Sequence, residues 1–205
     1  MGNVLQHINE AMTALVERVR LGLVQISNGR GGRGAGTIWH PDGLIITNAH
    51  VLHAAPPQIT LADGRTFPAR VLATDGHTDL AALAVAARGL AALAHPAAWR
   101  LRPGHWVLAL GHPWGITGAA TAGMVIDVGP PPERPRWRRE LIQVGMHLRP
   151  GYSGGPLVDG HGCLVGINTM MAGPEVGLAI PFPVVAAFLR RTLGSGEPYG
   201  GDADR

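Results

Sequence analysis

The sequence predicts an all-β fold made of two β-barrels or sandwiches, preceded by one amphipathic helix. Short strand-like segments recur along the chain, and turn signals separate them. The segments fall into two sets of about six, divided near residue 100. The 30 glycines and 17 prolines favour many turns over long helices. An apolar content of 46% with only 15% charged residues is typical of a globular chain and excludes a disordered one.

Residues 3–20 are predicted to form the N-terminal helix, because their apolar side chains recur at three- and four-residue spacing. These side chains are Leu5, Ile8, Met12, Leu15, Val16 and Val19. An isolated helix of this length is marginal in water, so it needs a partner surface. That surface is either the protein's own domain or a second molecule, in which case the helix serves docking or oligomerisation.

The first set of strands is expected within residues 21–100. Strand-like runs cover residues 21–26, 35–39, 43–47, 58–61, 66–73 and 80–85. The turn His40-Pro41-Asp42-Gly43 indicates a hairpin, whereas the glycine-rich residues 28–34 indicate a flexible loop. The alanine-rich residues 86–99 are interpreted as a connector.

The second set is expected within residues 101–193. Strand-like runs cover residues 106–110, 120–128, 141–146, 157–158, 163–168 and 176–180, and a short helix covers 183–193. Residues 194–205 are glycine-rich and polar, and are expected to form a frayed tail.

A serine among glycines, in Gly151-Tyr-Ser-Gly-Gly-Pro-Leu157, is the strongest chemical signal in the chain. Glycines allow close approach of a ligand, and neighbouring N–H groups can point at one position. An acyl-transfer nucleophile needs such an exposed hydroxyl beside donors for an oxyanion. A Gly/Ser turn without chemistry is the alternative, so a base and an orienting acid must be found elsewhere.

His50 and Asp79 are the candidates for that base and acid. A serine hydroxyl needs a base that titrates near neutral pH, and histidine fits this need. A buried carboxylate on its other ring nitrogen sets the tautomer. The order His50, Asp79, Ser153 is one known solution to this geometry, and it places the site between the two halves.

With these residues in place, the chain resembles the trypsin-fold serine proteases, and within them the HtrA/Deg group. Six motifs carry the resemblance, and they occur in the family's order over roughly residues 20–190. They are Gly34-Ala-Gly-Thr-Ile with Pro41-Asp-Gly-Leu-Ile-Ile-Thr-Asn-Ala-His-Val51, Thr78-Asp-Leu-Ala81, Gly111-His-Pro-Trp-Gly115, Gly151-Tyr-Ser-Gly-Gly-Pro-Leu157, Gly166-Ile-Asn-Thr169 and Gly177-Leu-Ala-Ile-Pro181. The resemblance implies two six-stranded antiparallel β-barrels and a serine endopeptidase that forms an acyl-enzyme on a protein or peptide substrate.

Carried over by position, the resemblance makes His50 the general base, Asp79 its orienting acid and Ser153 the nucleophile. The N–H groups of Gly151 and Ser153, with Tyr152 between them, would form the oxyanion hole. The resemblance also implies two sets of substrate-binding residues. The edge that pairs with the substrate backbone comprises Asn168, Thr169 and Met170, and an apolar primary pocket is lined by Met170, Met171 and Ile180. This pocket offers no carboxylate, so trypsin-like specificity for Arg or Lys is not expected.

The nucleophile loop departs from the HtrA pattern at Tyr152, where asparagine is usual, and at Arg149-Pro150. These bulky residues suggest the hypothesis that residues 145–153 rest in an inactive form until substrate or a partner sets them. A catalytically silent binding or chaperone module is the alternative function. About a dozen residues follow the last helix, too few for a PDZ domain. Control is therefore expected from the loops, a regulatory protein or a homo-oligomer formed through residues 3–20.

Composition bears on the remaining classes of function. The single Cys163 excludes an intrachain disulfide and is expected to be a small buried hydrophobe. The histidines lack zinc-site spacing, so neither a metal nor another cofactor is expected. No apolar run reaches the length of a membrane span, and no secretory signal is recognised, which predicts a cytoplasmic protein if residue 1 is the native start.

A net charge of +3 does not by itself favour a nucleic-acid partner. Residues 130–139 hold four arginines and a tryptophan among prolines. They are interpreted as a solvated loop, with recognition of nucleic acid or acidic peptides, or a regulatory role, as alternatives.

Overall fold

Two closed six-stranded antiparallel barrels form the body of the molecule, as the sequence predicts. The computed structural model describes residues 2–29, 33–53, 55–131 and 139–194. The first barrel consists of β1 (Leu23–Ser27), β2 (Arg33–His40), β3 (Leu44–Thr47), β4 (Gln58–Thr60), β5 (Thr66–Asp75) and β6 (Leu80–Val85). Around this barrel the strands follow the order β1-β2-β3-β6-β5-β4.

The second barrel repeats the same connectivity, with the order β10-β11-β12-β9-β8-β7. Its strands are β7 (Trp106–Gly111), β8 (Ala119–Gly129), β9 (Leu141–Gly145), β10 (Pro156–Asp159), β11 (Leu164–Gly173) and β12 (Val176–Pro181). Because β9 precedes β10 through residues 146–155, this connection is free to carry the nucleophile loop.

The hairpin between β2 and β3 shows how local chemistry sets the first barrel. Gly43 has a φ of 95°, which a side-chain-bearing residue rarely adopts, and its N–H donates to the His40 carbonyl at 3.2 Å. The turn pairs His40 with Leu44 and brings Ile45 opposite Ile38. The predicted hairpin is therefore confirmed, and it fixes the end of β3 from which His50 follows.

Two apolar clusters explain why β3 and β6 are buried along their whole length. Ile45 and Leu83 point into the first barrel, whereas Leu44, Ile46 and Leu80 belong to a cluster shared with the second barrel. Side chains alternate across a strand, so each of these strands has apolar residues on both faces. The shared cluster joins the two barrels.

The first helix, α1 (Gly2–Arg20), packs on the domain through its C-terminal half. Leu15 and Val19 are buried in the shared cluster, but Leu5 and Ile8 are exposed near the N-terminus. Packing on the protein's own surface therefore accounts for only part of the predicted apolar face. Among the described residues, no helix has both the length and the apolar character needed to cross a membrane.

The second helix, α2 (Phe182–Leu193), closes the shared cluster with Val185, Phe188 and Leu189. Its Arg191 also forms an ion pair with Asp75 at 2.5 Å, at the end of β5. The helix thereby attaches the C-terminal part of the chain to both barrels.

The prediction for Cys163 is wrong. Cys163 precedes β11 and is only half-buried, because it lies in the turn that joins β10 to β11. Its backbone N–H donates to the Asp159 carboxylate at 3.0 Å. Partial burial and the nearby Asp159 charge raise the pKa of the thiol. The Arg/Pro-rich stretch at 132–138 and the tail at 195–205 lie outside the described residues.

Candidate active site

His50 and Asp79 meet because β3 and β6 are neighbours in the first barrel. Their pairing sets Thr47 opposite Ala81, so the residues after β3 lie beside those before β6. His50 lies in a single 3-10 turn, Ala49–Val51, and the Ala49 N–H donates to the Asp79 carbonyl at 3.1 Å. Asp79 has a φ of 58°, an uncommon conformation for a residue with a side chain. Local strain of this kind is concentrated at functional sites.

The His50 imidazole is oriented by the Asp79 carboxylate. His50 Nδ1 lies 2.8 Å from Asp79 Oδ2 and 3.0 Å from Oδ1, and the His50 backbone N–H also donates to Oδ1 at 3.1 Å. The Thr169 hydroxyl donates to Oδ2 at 2.7 Å. Burial opposes ionisation of Asp79, but the donors from His50 and Thr169 outweigh it and lower the pKa of the carboxyl. The ionised carboxylate holds the proton on Nδ1 and leaves Nε2 as an acceptor.

Ser153 lies beside this pair, on the connection from β9 to β10. Its hydroxyl donates to the Thr169 carbonyl at 2.8 Å, and not to His50. Thr169 thus contacts both the nucleophile, through its carbonyl, and the acid, through its hydroxyl. A rotation of the Ser153 hydroxyl about its Cα–Cβ bond would release it from Thr169.

The residues before Ser153 form a type II turn. The Tyr152 N–H donates to the Arg149 carbonyl at 3.1 Å, and Gly151 has a φ of 107°. Proline and glycine at the two central positions are typical of this turn, because the third residue requires positive φ. The Gly151 carbonyl accepts a hydrogen bond of 2.8 Å from the His112 N–H. Within the described part of the chain, the N–H groups of Gly151 and Ser153 donate to no protein atom.

The nucleophile loop is also held by the first barrel. The Ala35 N–H donates to the Ser153 carbonyl at 2.9 Å, and the Thr37 hydroxyl donates to the Gly154 carbonyl at 3.1 Å. Gly154 has a φ of 83°, and a Cβ there would collide with the Ala35 carbonyl and the Thr47 hydroxyl. The loop therefore depends on contacts with both barrels.

A cavity of about 380 Å³ opens at the Ser153 hydroxyl. Its lining residues are His50, Leu148, Arg149, Pro150, Tyr152, Ser153, Thr169, Met170 and Met171. No carboxylate is among them, so nothing in the lining offers a counter-ion to a Lys or Arg side chain. Met171 has its sulfur 3.1 Å from the Leu148 N–H, which fixes that thioether at the cavity wall.

The structure brings together most of the residues selected from the sequence, but not Asn168 and Ile180. Asn168 is fully buried, and its amide donates to the Pro156 carbonyl at 2.9 Å. Ile180 is part of the shared apolar cluster. Their positions in the core leave neither of them on the cavity wall. Tyr152 is 6% exposed and packs within the second barrel.

Sequence reasoning missed the wall formed by Leu148, Arg149 and Pro150, and it missed the role of His112 in holding Gly151. The Pro-Gly pair at 150–151 was a usable signal for the turn. Contact between His112 and Gly151 has no such signal, because it arises from the packing of β7 against β10.

Comparison with known proteins gives one family and several relatives. The family model described as "Trypsin-like peptidase domain" matches residues 34–167. HhoA of Synechocystis sp., named as a serine protease, is 36% identical over 181 residues, which are 83% of this chain and 46% of HhoA. The mitochondrial serine protease HTRA2 of Drosophila erecta is 36% identical over 164 residues, or 77% of this chain and 39% of HTRA2.

Among solved structures, the serine endoprotease from Yersinia pestis superimposes with a TM-score of 0.80 at 28% sequence identity. The superposition covers 89% of this chain and 66% of that one. The chain spans less than half the length of HhoA and HTRA2.

Proposed function

Since this chain belongs to the trypsin-like peptidase family and has HtrA-type serine proteases among its relatives, we propose that it is a serine endopeptidase. The observation that carries the proposal is that Ser153 and His50 line one cavity, with ionised Asp79 bound to His50 behind it. Two backbone N–H groups beside Ser153 Oγ, those of Gly151 and Ser153, have no protein acceptor among the described residues. This arrangement supplies a nucleophile, a base, an orienting acid and oxyanion donors.

In the proposed mechanism, Ser153 Oγ attacks the carbonyl carbon of the scissile peptide bond while His50 Nε2 takes the hydroxyl proton. The carbonyl becomes a tetrahedral oxyanion, which the N–H groups of Gly151 and Ser153 stabilise. His50 then gives its proton to the departing amine, the C–N bond breaks, and an ester to Ser153 remains. Water, activated by His50, hydrolyses the ester and regenerates the hydroxyl.

Asp79 stays ionised through this cycle and stabilises the imidazolium form of His50. The lowered pKa of Asp79 and its three donors, two from His50 and one from Thr169, support this role. The Ser153 hydroxyl must leave the Thr169 carbonyl before it reaches His50, so rotation of this side chain precedes proton transfer.

The cavity supports a preference for an apolar side chain next to the scissile bond. Leu148, Met170 and Met171 provide apolar surface. Thioethers adapt to irregular shapes, which suits several side chains of similar size. Unfolded polypeptides, which expose such side chains in extended segments, are the proposed substrate class. The hypothesis that residues 145–153 switch between an inactive and an active form stays a prediction.

Labelling with a fluorophosphonate probe and cleavage of unfolded casein test the proposal, with Ser153→Ala as the matched variant. We expect wild-type protein to be labelled and to cleave casein, and Ser153→Ala to do neither. Labelling without cleavage would show that Ser153 is reactive and that access of casein to the site limits the reaction. Absence of both activities in folded wild-type protein would contradict the endopeptidase proposal and favour a silent binding module.

A further inference from the structure

Arg149 lies at the mouth of the cavity with its guanidinium over an indole ring. The guanidinium carbon is 4.8 Å from the centre of the Trp114 ring. Trp114 is 71% exposed and has a φ of 53°, within the tight turn Pro113–Gly115. An exposed tryptophan in a strained conformation gives no core packing, but it provides a flat face on which a guanidinium stacks.

Contact with the indole face restricts the guanidinium, whose planar edge carries its hydrogen-bond donors. A guanidinium presents five N–H donors around that edge, in a fork that matches a carboxylate. Within the described residues, no carboxylate forms an ion pair with Arg149. Asp79 is engaged by His50, and Glu175 lies nearest to His147, at 3.8 Å. Among the residues that the structure describes, the charge of Arg149 thus has no carboxylate as its ion-pair partner.

The position of Arg149 ties it to the reaction centre. Its carbonyl accepts the hydrogen bond that closes the type II turn, four residues before Ser153. The opposite side of the stack is fixed as well, because Trp114 follows His112, whose N–H holds the Gly151 carbonyl. Arg149 lines the same cavity as Ser153, so a chain bound at Ser153 lies beside Arg149.

We propose that the Arg149–Trp114 pair is a subsite for an acidic side chain of the substrate, close to the scissile bond. This inference rests on the proposed endopeptidase function and names the substrates that it prefers: unfolded segments with an aspartate or glutamate near an apolar residue. Trp114 positions the guanidinium, and Arg149 binds the carboxylate in a bidentate manner. The cavity wall takes the apolar side chain.

Matched octapeptides test the subsite. Each peptide carries a central leucine and a glutamate at one flanking position, and its twin carries glutamine there. We expect wild-type protein to cleave one or more glutamate peptides roughly five- to tenfold faster, in kcat/KM, than their glutamine twins, as for a partly exposed ion pair. In Arg149→Gln the ratio should fall to about one. Arg149→Lys should keep only part of it, because an ammonium lacks the planar fork.

Two control variants separate the subsite from the general charge of the protein. Arg70→Gln removes an exposed positive charge on β5 that is not part of the cavity lining, and it should leave the glutamate-to-glutamine ratio at its wild-type value. Trp114→Leu keeps Arg149 but removes the stacking face, and should lower the ratio. High salt should lower it in wild-type protein and leave it unchanged in Arg149→Gln.

Binding of the same peptides, labelled with fluorescein, to Ser153→Ala provides a readout that does not need catalysis. Fluorescence anisotropy should show tighter binding of a glutamate peptide than of its twin, and Arg149→Gln in the same background should abolish the difference. If glutamate peptides bind more tightly but wild-type protein cleaves none of them, the proposed endopeptidase function is contradicted and the acidic subsite is still supported. The subsite would be overturned if Ser153→Ala bound each glutamate peptide and its glutamine twin equally, and if wild-type protein cleaved them equally.

Discussion

At the residue scale, Thr169 connects parts of the site that are far apart in the sequence. Its hydroxyl donates to Asp79, 90 positions earlier, and its carbonyl receives the hydroxyl of Ser153. The carbonyl accepts the hydrogen bond of the nucleophile in the absence of substrate, and the hydroxyl stabilises the negative charge of Asp79. Only the hydroxyl can be removed by substitution, which makes the two roles separable.

Thr169→Val should lower kcat roughly tenfold to a hundredfold with little change in KM, because a hydrogen bond to a buried carboxylate is lost. Asp79 would then orient His50 less firmly. Steady-state kinetics on a peptide substrate measure the effect, and Thr169→Ser is the control that should restore most of kcat. A Thr169→Val enzyme with wild-type kcat would show that the hydroxyl does not position the acid.

The motifs around His50, Asp79 and Ser153 could be recognised from the sequence because each combines a reactive residue with its own turn or strand signal. Ile180 and Asn168 could not be assigned correctly in this way. A strand residue faces either the cavity or the core. A bulge in the pairing of β11 with β12, between Asn168 and Met170, changes the face to which the following residues point. Residues after the bulge reach the cavity, whereas Asn168 before it is buried.

At the scale of elements, the nucleophile loop is shaped by strands of the other barrel. Gly154 lies against the Ala35 carbonyl of β2 and the Thr47 hydroxyl of β3. The loop follows this path because glycine alone combines positive φ with so close an approach. Turn signals in the sequence predicted a loop here, but the partner strands are about 110 residues away and were not predictable locally.

Gly154→Ala should lower the free energy of unfolding by about 2–4 kcal/mol, because the new methyl group collides with backbone and imposes an unfavourable φ. Urea denaturation followed by circular dichroism measures it. Gly160→Ala is the matched control, since a Cβ there meets no atom within 4 Å and should change stability by less than about 0.5 kcal/mol. Equal stabilities of the two variants would contradict this account of the loop.

Hairpins and the two helices could be predicted because their signals are local: a glycine at a turn, or apolar residues at helical spacing. The end of β11 could not. β11 continues to Gly173, where it pairs with Val176 of β12, so its length is set by the partner strand and not by its own composition. The half-buried position of Cys163 was also not predictable from its apolar neighbours, because its N–H binds the Asp159 carboxylate in the turn before β11.

At the scale of the whole molecule, burial favours the neutral form of two histidines. His112 is 6% exposed, and burial lowers its pKa, with the Val24 carbonyl opposing the shift. Burial also lowers the pKa of His95, which packs against Trp39 at 4.2 Å between ring centroids. Below the ordinary value of 6.5 the unfolded chain binds protons at these sites that the folded chain does not. The free energy of unfolding that these two histidines contribute is therefore fully present above pH 6.5, and it is lost as the pH falls toward their lowered pKa values.

Urea midpoints at pH 7.5 and pH 5.5 test this dependence, and we expect the midpoint to be lower at pH 5.5. His95→Phe keeps an aromatic ring against Trp39 and removes one titrating group, so its midpoint should fall less over the same interval. A drop equal to that of the wild type would show that His95 does not contribute. The carboxyl of Asp79 acts in a separate interval, below its ordinary value of 3.8, because its pKa is lowered.

The hydrogen bonds from Ala35 and Thr37 to the carbonyls of Ser153 and Gly154 make catalysis a property of the docked pair of barrels. A molecule whose barrels separate, even with each barrel intact, loses the support of its nucleophile loop. Under the proposed function, such an opened molecule would lose its activity and would itself become a substrate. Heating should accordingly abolish activity before strand content declines, and the damaged copies in a population would be removed by the intact ones.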